Sequence, residues 1–393
     1  MTPSARAQAA IELLDEIIAA ARGAGPAADT LIARYFKTRR YAGSKDRRAV
    51  REIVYRAIRR HGEPPASGRA ALLGLAEDDE AMLGLFDGSA HGPAPRTAQD
   101  QPAMAAIAPD WLLDRFDPLA RPPAELAALL QRAPLDMRVN SLRGTRGEAL
   151  AALPEAAATP LSPWGLRLPE GFPAEDTPAW TSGLVEIQDE GSQLVGLASA
   201  VDPGMRVVDL CAGAGGKSLM LAAQMDNRGT VLACDVDRQR LSRLMPRLAR
   251  AGAEIVTTRL LNPAEERTAL AEWEGRADLV LVDAPCSGTG TWRRNPELRW
   301  RLTPRRLAEL TTLQARLLDL AAELVRPGGH LVYAVCSLLG EEGREQAAAL
   351  SARSSLKPQD VPIAAGRSAG SGRMFTPFHD ATDGFYVARW QRP

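Results

Sequence analysis

The chain has 393 residues, enough for two or three domains each burying its own core, and its 48 Lys and Arg are matched by 48 Asp and Glu. A net charge of zero excludes a chain that attracts nucleic acid over its whole surface, so any such attraction must come from local patches. No apolar run reaches membrane-spanning length and the amino terminus lacks a signal-peptide core, which sets the expectation of a cytoplasmic protein.

From Arg6 to Ala21 the residues Ile11, Leu14, Ile17 and Ile18 recur at helical spacing, and Gly23 and Gly25 close the run. A second helical stretch opens near Asp29. Between Arg34 and Arg60 eleven Lys and Arg stand against only Asp46 and Glu52, a patch suited to RNA phosphates, with Val50, Ile53, Val54 and Ile58 marking an inward face. Tyr35, Phe36 and Tyr41 interleave with the charge and read either as base-stacking rings or as core. Residues 63–109, rich in Ala, Gly and Pro, suggest a helical subdomain with a flexible connection, and the helical domain is expected to span 1–134. At DMRVNSLRG the texture changes to strand, and a small α+β module fits 135–180.

The remainder, 181–393, alternates strand and helix. Strands are expected at 205–211, 230–235, 254–260, 277–283 and 329–336, with a helix from Pro304 to Val325 opened by Thr303 and a closing edge hairpin turned by DATDG. This rhythm predicts an α/β fold, a doubly wound Rossmann-like parallel sheet preceded by an all-α domain and the small α+β module.

The stretch MRVVDLCAGAGGK, 205–217, joins a strand to a helix through a glycine-rich turn that brings backbone amides close to a ligand. Its spacing fits neither a P-loop nor a dinucleotide fingerprint. Asp209 before the turn and Asp235 at the end of the next strand suit a cofactor carrying an amine and a ribose, and S-adenosylmethionine is such a molecule. The four cysteines, Cys211, Cys234, Cys286 and Cys336, lie on or beside expected core strands, a pattern that suits neither a disulfide framework nor a zinc site, so no metal is expected.

Two of them are placed alike. Strand 277–283 runs into DAPCSG and strand 329–336 into AVCSLLGEEG, so each presents a Cys-Ser pair at a strand's carboxyl end, where open parallel sheets bind ligands. Adjacent strands would bring Cys286 and Cys336 to one pocket beside the glycine turn; packing is the alternative for each thiol. Thiols there answer a chemical need. Carbon 5 of cytosine accepts a methyl group only after a thiolate adds at carbon 6 and turns the ring into an enamine, and a hydrogen bond to ring nitrogen 3, a role for Asp283, eases the addition.

With these motifs the chain resembles the RsmB-type (Sun) family of S-adenosylmethionine-dependent RNA cytosine-5 methyltransferases, through most of its second half. The family's cofactor loop, DxCAAPGGKT, stands here as DLCAGAGGKS, with Gly213 and Ala214 in place of Ala-Pro and Ser218 in place of Thr, which predicts a less rigid loop. The resemblance implies that Cys211, Ala212, Gly213, Ala214, Gly215, Gly216 and Lys217 hold the methionine part of the cofactor. It further implies that Asp235 accepts the ribose hydroxyls, that Asn262 stands near the adenine where an Asp is usual, and that Asp283 sits between cofactor and base. It makes Cys336, preceded by Val335 where Thr is usual, the nucleophile, and Cys286 the thiol that assists release. The basic segment RRYAGSKDRRAVREIVYRAIRRHG is similar to the NusB-like RNA-binding domains that precede some of these catalytic domains, and RVNSLR resembles the family's small module, with Arg138 and Asn140 in a backbone or RNA-positioning role. Arg293, Arg294, Arg299, Arg301, Arg305 and Arg306, with Trp292 and Trp300, would then line an RNA entrance. The expected partner is RNA, rRNA before tRNA, met by a monomer. A non-catalytic RNA-binding assembly factor and a small-molecule methyltransferase are the other readings, and the basic helices disfavour the second.

Overall fold

The computed structural model describes residues 1–23 and 25–393, and they form two compact units. The first comprises Met1–Arg115, Leu126–Gln131 and Thr291–Pro304. Its main helices are α1 (Pro3–Arg22), α2 (Ala28–Thr38), α3 (Ser44–Arg60) and α4 (Gly68–Glu77). Helix α1 begins where Thr2 accepts a hydrogen bond from the Ala5 amide and Pro3 takes the first helical position, and it buries Leu13, Leu14, Ile17 and Ile18. Helices α1 and α4 touch through backbone: a Cβ added at Gly68 would lie 2.1 Å from the Ile11 carbonyl oxygen, so only glycine fits there.

The segment Thr291–Pro304 completes this unit by satisfying helix ends. Arg299, fully buried, donates to the Ile58 carbonyl in the last turn of α3, and Trp300 Nε1 donates to the His61 carbonyl at 2.7 Å. Glu297 accepts from the Ala28 amide at the start of α2 at 3.3 Å. A cation thus meets the carbonyl end of one helix and a carboxylate the amide end of another, each against the sign of the local dipole. This corrects the expected RNA entrance. Trp292, Arg293, Arg299 and Trp300 are buried, Arg301 donates to the Gly25 and Pro26 carbonyls, and the exposed Arg305 and Arg306 pair with Glu309. Likewise Tyr35 and Phe36 are core, whereas Tyr41 is 72% exposed.

The second unit comprises Phe116–Glu125, Arg132–Gly290 and Arg305–Pro393. Four short strands, β1 (Leu135–Val139), β2 (Ala157–Ala158), β3 (Gly165–Leu168) and β4 (Val185–Ile187), form an antiparallel sheet in the order β2-β3-β1-β4. Asn140, just past β1, is buried and donates to the Gly183 and Ala251 carbonyls, so its work is structural. The large sheet contains β5 (Arg206–Asp209), β6 (Thr230–Asp235), β7 (Val256–Leu260), β8 (Ala277–Asp283), β9 (Val325–Val335), β10 (Lys357–Gln359), β11 (Arg367–Ala369), β12 (Gly372–Phe375) and β13 (Phe385–Gln391). Its order is β11-β12-β13-β9-β8-β5-β6-β7, with β10 on β13, and β7-β6-β5-β8-β9 is parallel.

The closing segment forms the expected antiparallel pair, β12 on β13, with β11 and not this pair at the edge of the sheet. β13 lies inside the sheet, antiparallel to β9 and β12, and the link from Phe375 to Phe385 includes the helical turn Pro377–Asp380. The parallel strands are near-continuous apolar runs because both faces are covered; Val207, Val208, Val231, Leu281, Val282 and Val332 are fully buried. The chain leaves β5 toward β6 and β7 and then crosses to β8 and β9, so the topological switch lies between β5 and β8 and opens a crevice at their carboxyl ends. No helix among the described residues is long and apolar enough to cross a membrane.

Candidate active site

Strand β5 delivers Asp209 to the crevice, and the chain turns through Gly213 and Gly215, both left-handed with φ of 57° and 82°, into the helix Gly216–Gln224. An added Cβ at Gly213 would meet nothing within 4 Å, so this backbone faces open space. At the end of β6, Asp235 accepts from the Gly213 amide through one oxygen and from the Asp237 amide through the other, each at 2.8 Å. The turn is therefore tied to the neighbouring strand end.

Asp209 is fully buried. Burial pushes its carboxyl up to about 7 against the opposing hydrogen bond from Ser218, with the Asp283 charge adding to the rise. Its Oδ1 has no hydrogen-bond partner among the described residues. A carboxyl raised this far above its unfolded value lends stability that is fully present below about pH 4 and lost as pH rises through about 7. Asp209→Asn is therefore expected to flatten the fall in melting temperature of the cofactor-free protein between pH 5 and 8; an unchanged pH slope would contradict this.

At the end of β8, Asp283 Oδ2 accepts from Lys217 Nζ at 2.6 Å. Burial pulls the Lys217 ammonium down, but the Asp283 carboxylate beside it outweighs burial and the net shift is upward. Lys217 also donates to Ser192 Oγ at 3.1 Å, Ser192 accepts from Gln188 Nε2 at 3.3 Å, and Gln188 Oε1 accepts from Arg138 Nε at 2.6 Å. Arg138, fully buried and pulled down to about 10 by burial, thus acts through a hydrogen-bonded chain that ends at Asp283. That chain gives RVNSLR an internal role.

The two cysteine turns meet. Asp283 of β8 is in register with Ala334 of β9, and two to three residues further on the sulfurs of Cys286 and Cys336 lie 3.3 Å apart. The hydrogen bond to Cys336 and burial push the Cys286 thiol well up. Both turns are held by one side chain that sequence reasoning passed over. Glu342, fully buried, accepts from the Ser287 amide and Gln314 Nε2 through Oε1, each at 2.9 Å, and from the Ser337 and Ser287 hydroxyls through Oε2. Ser287 and Ser337 directly follow the two cysteines, and Gln314 also donates to the Pro285 carbonyl at 2.9 Å. The GEEG run after Cys336 was the only signal in the sequence.

The other expected residues surround this centre at the carboxyl ends of β5 to β8. Burial raises the Cys211 thiol well above its usual value, which suits a packing or backbone role. Asn262 is exposed just beyond β7, bonded to Glu265, and its neighbour Leu261 donates to the Asp235 carbonyl. Cys234, on β6, is fully buried core.

Residues 198–391 match the family model of the 16S rRNA methyltransferase RsmB/F. This region belongs to the RsmB/F methyltransferase family. The chain is 35% identical to the ribosomal RNA small subunit methyltransferase B of Klebsiella pneumoniae strain 342 over 291 residues, 72% of this chain and 65% of that protein. It thus spans just under two thirds of the length of this relative. A crystallised methyltransferase homolog protein from Pyrococcus horikoshii is 27% identical over 72% of this chain and 93% of its own, with a TM-score of 0.62. The crystal structure of PH0851 shares the fold over the whole of both chains, at 24% identity and a TM-score of 0.77. The residues of the RsmB/F region fit S-adenosylmethionine: an open backbone cradle at Gly213, a helix amino terminus beside it and acids at the ends of β6 and β8.

Proposed function

We propose that the protein is an RNA cytosine-5 methyltransferase acting on ribosomal RNA, and that the pair of thiols 3.3 Å apart beside the glycine turn carries this reading. The names of the relatives favour rRNA over tRNA. The turn Cys211–Lys217 holds the methionine part of the cofactor, Asp235 its ribose and Asn262 the adenine side. When bound, S-adenosylmethionine supplies an electrophilic methyl group. A cytosine unstacked from its RNA enters between the turn and the two cysteines. Within the pair, the resemblance of its motif makes Cys336 the nucleophile and Cys286 the thiol that assists release.

The Cys336 thiolate forms a bond to carbon 6, and the electron pair of the carbon 5–carbon 6 double bond passes through the ring toward nitrogen 3, which takes a proton from solvent and is held as N–H by the Asp283 carboxylate, itself fixed by Lys217. Carbon 5 then takes the methyl group. Transfer of the carbon 5 proton to a water restores the double bond and expels the Cys336 thiolate, a step assisted by Cys286, whose sulfur lies 3.3 Å from that of Cys336 and can donate to it as it leaves. Incubating the full chain with radiolabelled S-adenosylmethionine and small-subunit rRNA, followed by bisulfite sequencing, is expected to reveal 5-methylcytosine; label on another base or position would refute the chemistry.

In the helical unit, Arg34, Lys37, Arg40, Lys45 and Arg48 are exposed and make no ion pair among the described residues, unlike Arg51, Arg56 and Arg60, which pair with Asp29, Asp79 and Asp78. They cluster around the α2–α3 turn with the exposed Tyr41 and form the RNA-phosphate surface of this reading. Replacing all five by alanine is expected to reduce the slope of log affinity against log salt by roughly 4, at about 0.7–0.9 per phosphate contact. Filter binding at several salt concentrations measures it, and an unchanged slope would remove the patch from the RNA surface.

A further inference from the structure

The cofactor turn lacks the proline of its family's pattern, and a different device braces it. Arg247, on the helix Arg238–Ala251, donates from one guanidinium nitrogen to the Ala214 carbonyl at 2.6 Å and from the other to Glu186 Oε2 at 3.0 Å. Glu186, on β4, is buried and also pairs with Arg250, whose guanidinium stacks 3.7 Å over the Trp180 ring. The Arg247 fork is therefore fixed on its far side before it reaches the turn. With Asp235 holding the Gly213 amide, two successive residues of the turn are pinned, one by a carboxylate and one by a guanidinium.

The missing proline and the glycine before it are one coupled change. A residue preceding proline is steered to extended backbone, whereas Gly213 is left-handed at φ 57°. An Ala-Pro pair at 213–214 would take another path and be stiff through its ring; the Gly-Ala pair gains the left-handed path and loses the ring. We propose that Arg247, held by Glu186, is a positioning residue for the cofactor turn that replaces the rigidity of the absent proline and sets the affinity for S-adenosylmethionine. This rests on the reading that the turn holds the cofactor.

Isothermal titration of the full chain with S-adenosylhomocysteine tests it. Arg247→Ala is expected to weaken binding about tenfold or more, the scale of one charge-assisted hydrogen bond. The KM for S-adenosylmethionine should rise in step, with kcat at saturating cofactor unchanged. Adding Gly213→Ala and Ala214→Pro to Arg247→Ala is expected to restore affinity to within about threefold, because a ring-stiffened turn does without the guanidinium. Those two replacements alone, with Arg247 retained, report whether the altered turn folds and binds. Unchanged affinity in Arg247→Ala overturns the proposal, as does a loss that the Ala-Pro pair fails to repair while binding in the Arg247 background. Failure of the unaltered protein to bind S-adenosylhomocysteine would instead overturn the placement of the cofactor.

Discussion

Cys336→Ala is expected to reduce methyl transfer to RNA by a factor on the order of 10⁴ or more, the scale seen when a covalent mechanism loses its nucleophile. Cys286→Ala is expected to do something different: methyl is transferred but the RNA stays bonded to Cys336, giving a protein–RNA species that survives a denaturing gel. The two sulfurs are 3.3 Å apart at the ends of adjacent strands, so the opposite phenotypes cannot be ascribed to different locations. In the proposed mechanism they arise from different steps: Cys336 attacks carbon 6, and Cys286, its sulfur against that of Cys336, serves the later elimination. Gel analysis of both variants with labelled RNA and S-adenosylmethionine separates the roles. An active Cys336→Ala enzyme, or a trapped adduct in Cys336→Ala rather than in Cys286→Ala, would reverse the assignment.

Much of this centre was legible because its residues follow strand ends. Apolar runs ending in Asp209, Asp235 and Asp283 predict parallel strands, and a parallel sheet places their carboxyl ends together, so the turn, the acids and both cysteines converge by topology alone. Residues that act through long side chains from other elements were not legible. Arg247 in an arginine-rich helix looks like any solvated cation, and only its approach to the Ala214 carbonyl distinguishes it. Arg299 shows the reverse error. Its neighbourhood of arginines and tryptophans reads as an RNA surface, yet the segment satisfies helix-end carbonyls and amides inside the helical unit, because charge spacing along a chain does not reveal which carbonyls a guanidinium will find. The place of the closing β12–β13 pair within the sheet was not legible for a similar physical reason. An antiparallel strand between β9 and β12 and an antiparallel edge hairpin carry the same alternation, and the order of strands is decided by long-range pairing.

Glu342 carries the second large expectation. Its carboxylate accepts from Ser287, Ser337 and Gln314, and so fixes the residues that immediately follow Cys286 and Cys336. Glu342→Ala leaves these buried donors without an acceptor, at roughly 1–3 kcal/mol each, and is expected to destabilise the domain outright. Glu342→Gln is the informative change. It preserves shape and one oxygen but sets an amide donor against hydroxyls that now donate to Oε2, so Ser287 and Ser337 must reorient and the sulfur pair loses its registration. kcat is expected to fall by about tenfold to a hundredfold, the cost of misplacing reacting groups by around an ångström, while affinity for S-adenosylhomocysteine stays unchanged because none of the Glu342 partners belongs to the glycine turn. Rapid-quench kinetics beside titration calorimetry reads both quantities. A Glu342→Gln enzyme that melts at lower temperature yet retains full kcat would reduce Glu342 to scaffold, whereas lost kcat with intact cofactor affinity places it in the alignment of the two thiols.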